Sequence, residues 1–256
     1  MGAAKDREVY RPGAILERVS ADKPTGTVDS YNRAPMPDSL RHLTPIDRIL
    51  SVIDQGLRVS AAGPGAVAST GRPVPVPVPG RESPPFDPAT TRHVAGLMRV
   101  NHAGEVAAQA LYHGQALVAR DPAVREFLLD AAREEGDHLA WCAARLAQLG
   151  SRASLLDPLW YAGSVAIGAL AGLAGDRASL GFIAETERQV EGHLDRHLER
   201  LPESDGASRA IIEQMKADEA THRGHALARG GEELPAPARA LMRAVAKVMT
   251  GSAYWV

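Results

Sequence analysis

The sequence predicts an all-α protein, a bundle of long helices behind a proline-rich N-terminal region. Three observations predict it. Of 18 prolines, 13 fall between Pro12 and Pro88. The remaining 168 residues hold five, each where a helix should start or stop. That long stretch is rich in Ala, Leu, Arg and Glu, which are good helix formers. No alternating apolar–polar run of useful length competes for strands, and the aromatic residues that strands favour are few.

The elements follow in order. Residues 1–42 scatter Pro, Gly and charge without a period of 2 or 3.6, and read as disordered. Their six acidic residues argue against a transit peptide, and they lack the apolar run of a signal peptide. Thr44-Pro45-Ile46-Asp47 reads as an N-cap with Pro at the first helical position. Ile46, Ile49, Leu50, Ile53 and Leu57 then mark one face of a short amphipathic helix at about 45–58. Gly63 to Pro88 includes alternating Pro and Val from Pro73 to Pro79, hence an extended, semi-rigid linker. A plain tether is the simpler reading and a proline-motif ligand the other. Ala89 to Ala119 forms a long helix tolerating Gly96, Gly104 and Gly114. Asp121-Pro122 caps the next, which ends at Gly150. Asp157-Pro158 opens a third segment, Asp176 caps a fourth through Arg200, and a fifth covers about 205–229. Pro235 and Pro237 precede a last amphipathic stretch. Long helices with short loops imply antiparallel packing. The expected organisation is an extension over residues 1–88 and a helical bundle domain over residues 89–256.

Composition excludes several functions. With 29 basic and 31 acidic residues the formal charge is −2, so no basic excess calls for nucleic acid. A single cysteine, Cys142, excludes an intramolecular disulfide framework and every Cys-based zinc or iron–sulfur site.

The chemistry resides in a duplicated pattern. Glu135-Gly136-Asp137-His138 and Glu219-Ala220-Thr221-His222 are both E-x-x-H, 84 residues apart. On a helix, positions i and i+3 differ by about 60° around the axis, so Glu and His point the same way and can bind one metal ion. One such pair is ordinary on a solvated helix face; two are not. Each is preceded on the previous helix by a further Glu, Glu105 and Glu187, themselves 82 residues apart. Four Glu and two His from four antiparallel helices is the ligand set of a di-iron or di-manganese carboxylate bundle. Four buried carboxylates without partners would protonate; two divalent cations offset their charge. Carboxylate oxygens with one imidazole per ion suit iron or manganese. Glu135 and Glu219, as bridges, would hold the ions close together. Asp137 and Asp218 adjoin these boxes; they either orient the imidazoles of His222 and His138 or belong to a solvated face. Tyr112 and Cys142 read as packed core residues, and His102, His113, His197 and His225 as ordinary surface or packing residues.

The stretches RVNHAGEVAAQALYHGQ (99–115), EEGDHL (134–139), DPLWYAGSVAIGALAGLAG (157–175), ETERQVEGHLDRHL (185–198) and DEATHRGHA (218–226) resemble the bacterial demethoxyubiquinone hydroxylase family of ubiquinone biosynthesis. The resemblance spans about residues 90–230. It implies a ferritin-like four-helix bundle with additional amphipathic helices, holding two iron ions per chain on Glu105, Glu135, His138, Glu187, Glu219 and His222. It implies a monooxygenase that uses dioxygen to hydroxylate the ring of a polyprenylated demethoxybenzoquinol. It also suggests that His193 acts near the substrate or in electron transfer; a core or interfacial histidine is the alternative. A prenylated substrate implies a peripheral enzyme on the cytoplasmic side of the inner membrane, beside other enzymes of ubiquinone biosynthesis. Two stretches bear on that. Pro158 to Gly175 carries no charge except at its flanks, is short for a span, and suits close helix packing or the interface. The C-terminal stretch sets Arg239, Arg243 and Lys247 opposite Leu241, Val245 and Val248, followed by Tyr254-Trp255, which suits a lipid surface or a capping helix. The competing function is a ferritin-like iron-storage protein, which needs a multimeric shell. A ribonucleotide-reductase-like subunit needs a placed radical Tyr where Cys142 stands, and a rubrerythrin needs a Cys pair.

Overall fold

The computed structural model describes residues 44–61, 68–78 and 85–256. The disorder expected of residues 1–42 lies outside them. Among the described residues every regular element is helical: α1 (Pro45–Ala61), α2 (Pro88–Val118), α3 (Pro122–Gln148), α4 (Asp157–Leu173), α5 (Asp176–Arg200), α6 (Gly206–Ala228) and α7 (Ala236–Ala253).

Local chemistry sets the helix ends. Thr44 Oγ1 accepts from Asp47 N, and Asp47 Oδ2 accepts from Thr44 N at 2.9 Å, a reciprocal capping box that starts α1. Asp87 and Asp121 cap α2 and α3 with Pro at the first helical position of each. Asp176 does not cap α5. Gly175 holds that place, and the Asp176 carboxylate accepts instead from the amides of Arg120 and Asp121. It therefore ties the α2–α3 loop to the start of α5.

Two hairpins, α2–α3 and α5–α6, pack through α3 and α6 into a four-helix bundle. The residues between the hairpins form α4, which lies along α2. One long crossover between two hairpins is the ferritin-like arrangement. The crossover fits because α2 and α4 nearly touch backbone to backbone. A methyl group at Gly114 would overlap the Val165 carbonyl, and one at Gly168 the Leu111 carbonyl. Core layers flank the bundle centre: Leu97, Met98, Trp141, Leu194, Ile212 and Met215 toward one end, Tyr112, Leu128, Leu180 and Ile183 toward the other. Each such buried side chain contributes about 1.5–3 kcal/mol of transfer free energy.

α1 packs on α2 and α4 with its less apolar face. Val52 and Val59 meet Tyr161, and the Tyr161 hydroxyl donates to the Val52 carbonyl at 3.0 Å. The stripe of Ile46, Ile49, Leu50, Ile53 and Leu57 is left exposed. α4 exposes Leu159, Ile167, Leu170 and Leu173, and α7 exposes Leu241, Val245 and Val248. Among the described residues no helix is long and apolar enough to cross a membrane.

Candidate metal centre

Each bundle helix carries its acidic residue on the stripe that makes the core. Glu105 shares a face of α2 with Met98, Asn101, Ala108 and Tyr112, and Glu187 shares one of α5 with Leu180, Ile183 and Leu194. Glu135 and His138 replace two core positions of α3 between Leu128 and Cys142, and Glu219 and His222 two of α6 between Met215 and Ala226. The helical period that buries the apolar residues therefore also buries these six, none more than 3% exposed.

They converge. Glu105, Glu135, His138 and Glu219 form one group with ligand atoms within 4.8 Å of one another, and Glu135, Glu187, Glu219 and His222 form a second. Glu135 and Glu219 belong to both, which is the placement of bridging carboxylates. His138 Nδ1 lies 3.0 Å from Glu135 Oε2, 3.4 Å from Glu219 Oε1 and 3.6 Å from Glu105 Oε2. His222 Nδ1 lies 3.3 Å from Glu135 Oε1 and 3.5 Å from Glu219 Oε2.

The far nitrogen of each ring is held from outside the cluster. His138 Nε2 donates to Asp218 Oδ2 at 3.0 Å, and His222 Nε2 to Glu134 Oε2 at 2.7 Å. These bonds favour a proton on Nε2, so that with a metal bound the Nδ1 lone pair would be the one directed into the cluster. Each orienting acid is the residue directly before the Glu of an E-x-x-H box, and each serves the ring of the other box. Of the two aspartates that could orient the imidazoles or belong to a solvated face, Asp218 lies against His138 as an orienting residue would. Asp137 does not reach His222; it is buried against residues 70–72. Glu134 was missed, although an acid preceding both boxes is visible in the sequence.

Electrostatics show what the cluster lacks. Burial and the neighbouring carboxylates push Glu105 and Glu187 well above the usual range. Burial would also raise Glu219, but bonds to Glu187, His138 and His222 outweigh it and hold the carboxyl low. Both imidazoles are raised against burial by the acids around them. Even so, Glu187 has no hydrogen-bond donor to either oxygen, and Glu135 Oε1, Glu219 Oε2 and His222 Nδ1 are also buried without partners. Orphaned donor atoms facing one another, four carboxylates to two imidazoles, fit two divalent cations.

The other sequence candidates lie apart. His193 belongs to neither group; its ring is 4.0 Å from His197 and its Nε2 is buried without a partner. Burial, with Arg196 and Arg200 nearby, lowers it to about 4. Tyr112 and Cys142 are packed core, as expected. His102 is buried 3.1 Å from Asp157, and His113 sits by the Tyr161 hydroxyl.

Comparison with known proteins agrees with this geometry. The chain is 55% identical over 216 residues to a 3-demethoxyubiquinol 3-hydroxylase of Bordetella petrii, covering 84% of this chain and 94% of the relative. It is 56% identical over 214 residues to the protein of that name from Paraburkholderia xenovorans, covering 82% and 99%. It is 68% identical over 163 residues to that from Cupriavidus necator, covering 64% and 79%. The family described as ubiquinone biosynthesis protein COQ7 matches residues 92–253, a stretch that contains all six clustered residues, and the chain belongs to that family.

Proposed function

We propose that this chain is a 3-demethoxyubiquinol 3-hydroxylase, an iron-dependent monooxygenase that hydroxylates the ring of a polyprenylated demethoxybenzoquinol in ubiquinone biosynthesis. The observation that carries the reading is the pair of buried ligand groups sharing Glu135 and Glu219. Glu105 and His138 would hold one iron ion and Glu187 and His222 the other, with Glu135 and Glu219 within reach of both. A bound iron pair supplies the reduction of dioxygen that lets one of its oxygen atoms enter the ring. The chain's own part is positional. Asp218 and Glu134 fix the two imidazole tautomers, and the bundle core shields the pocket from water. His193 belongs to neither ligand group, so its part, near the substrate or in electron transfer, would be played without binding the metal. The bundle over residues 89–256 is the catalytic domain.

The substrate's prenyl tail requires a lipid phase. The exposed apolar side chains of α1 and α4, which pack together, and of α7 support peripheral membrane binding; a role in ubiquinone biosynthesis would put it on the cytoplasmic face of the inner membrane, beside the other enzymes of the pathway. In flotation with anionic liposomes the protein is expected to rise with the vesicles, and Leu170→Glu with Leu173→Glu to keep it at the bottom. A wild-type protein that stays at the bottom contradicts membrane binding.

The function is tested by quinone extraction from a strain lacking this gene. Demethoxyubiquinone should accumulate and disappear when the gene is returned. An unchanged quinone pool refutes the hydroxylase reading, and a large multimeric shell on gel filtration would favour iron storage.

A further inference from the structure

Residues 68–78, expected as a tether, lie against the metal centre and follow two features built to receive them. The first is Gly136, inside the E-x-x-H box of α3. A methyl group there would overlap the Ala68 carbonyl and crowd Ser69. The missing side chain is the seat of the segment. The second is Asp137, 1% exposed, whose carboxylate gathers it in. Asp137 Oδ1 accepts from the amides of Gly71 (2.9 Å) and Arg72 (3.3 Å), and Oδ2 from the Thr70 hydroxyl and Arg72 Nε (3.0 Å). Two consecutive amides reach one oxygen because Gly71 takes φ +80°, a conformation open to glycine. The prolines that follow keep the chain extended.

This seating delivers one guanidinium. Arg72 Nη2 donates to Asp218 Oδ2 at 2.8 Å, the oxygen that accepts from His138 Nε2, and lies 3.4 Å from that nitrogen. The guanidinium lies 4.8 Å from the centre of the Trp141 ring, and Trp141 Nε1 donates to the Arg72 carbonyl at 3.2 Å. A planar fork that binds two carboxylates at once is a task for Arg and not for Lys. Among the described residues no Arg or Lys is hydrogen-bonded to Glu134, which holds His222 and is 44% exposed on its side chain; Arg72 reaches it only through its charge.

We propose that Arg72 is a positioning residue of the metal centre, carried by the 68–78 strap onto Gly136 and Asp137, and that it fixes Asp218 and through it His138 but not His222. The assignment rests on the two-ion reading above. With Arg72 on Oδ2 and Gln214 Nε2 on Oδ1, Asp218 is held at both oxygens, so His138 keeps its Nε2 partner and its direction. Without it, Asp218, 14% exposed on its side chain, keeps Gln214 Nε2 on Oδ1 (2.9 Å) but has no cation on Oδ2, and the His138 ring loosens while the His222 ring stays as it was.

The test uses the full chain loaded with Co²⁺ and proton NMR. Each ligand imidazole bonded at Nε2 should give one hyperfine-shifted, solvent-exchangeable signal, so the wild type should give two. In Arg72→Gln one of them should be lost to exchange with water, the same one that Asp218→Asn removes, while Glu134→Gln removes the other. One of the two Co²⁺ affinities should fall about 10–100-fold. Gly136→Ala, which unseats the strap with Arg72 intact, should reproduce Arg72→Gln and serves if that variant is poorly folded; Val76→Ala, an exposed strap residue, should not. Both signals and both affinities unchanged in Arg72→Gln and in Gly136→Ala overturn the proposal, as does equal loss of both signals in either. A wild type that binds no Co²⁺ overturns the two-ion reading itself.

Discussion

Glu135→Ala is expected to empty the centre. Purified anaerobically, the wild type should carry two iron ions per chain, the variant fewer than one, and hydroxylation should fall more than about 100-fold, beyond the 10–100-fold usual for an orienting partner. The magnitude follows from position. Glu135 Oε1 and Oε2 face different imidazoles, His222 at 3.3 Å and His138 at 3.0 Å, so its loss removes a donor from both ions at once. His222→Ala removes one donor from one ion and should also abolish activity, since neither ion alone can complete the reaction. Glu185→Ala is the control. It lies two residues before Glu187 and is also buried, but it is bound to Arg188 and Gln189 outside the cluster. Its iron content should match the wild type. Full activity in Glu135→Ala would remove the bridging assignment.

The part of this centre that lies on the helices was legible in the sequence, because one helical period places both core and ligands. Glu105, Glu135, His138, Glu187, Glu219 and His222 follow from spacing, and the helix ends follow from Asp-Pro pairs and glycines. What was illegible depends on tertiary contact. Nothing local in Thr70-Gly71-Arg72 announces a partner 65 residues away at Asp137. The alternating prolines read as extended chain, and extension does not say what the chain lies on. Asp176 has the composition of an N-cap and the place of a first helical residue, and what decides between them is the α2–α3 loop whose amides it accepts. The same holds for α1. Its apolar stripe is periodic, yet the body meets α1 on another face, where Val52 and Val59 pack on Val106, Ala110, Leu139 and Tyr161.

Glu187→Gln is expected to separate binding from folding most sharply, because its effect should change sign with metal. Without metal, Glu187 is buried among acids with no donor to either oxygen. Burial and the Glu219 charge raise its carboxyl, which keeps its proton and shares it with Glu219. Glutamine has nearly the same shape, carries no charge, and can donate permanently to Glu219. The metal-free variant should therefore melt higher than the metal-free wild type, by about 2–8 °C for a gain of one to two kcal/mol. The pH dependence follows from the same shift. Above the ordinary carboxyl value of 4.5, the folded state holds more protons at Glu187 and Glu105 than the unfolded chain does. That contribution is fully present below 4.5 and is lost as pH rises toward the raised values. His138 and His222, raised above 6.5, act in the same direction above that pH. Below 6.5 the lowered His113, His193 and His197 act in the opposite sense, so metal-free wild type should lose stability mainly from pH 6.5 to 8, and the variant should lose less. With iron present the order reverses. The ions stabilise the wild type by RT ln(1 + [L]/Kd), whereas the variant, lacking one carboxylate on one ion, gains less. Thermal melts of both proteins with and without iron should therefore cross; a variant less stable than wild type in both conditions would mean that Glu187 belongs to the packing of the bundle and not to the cation site.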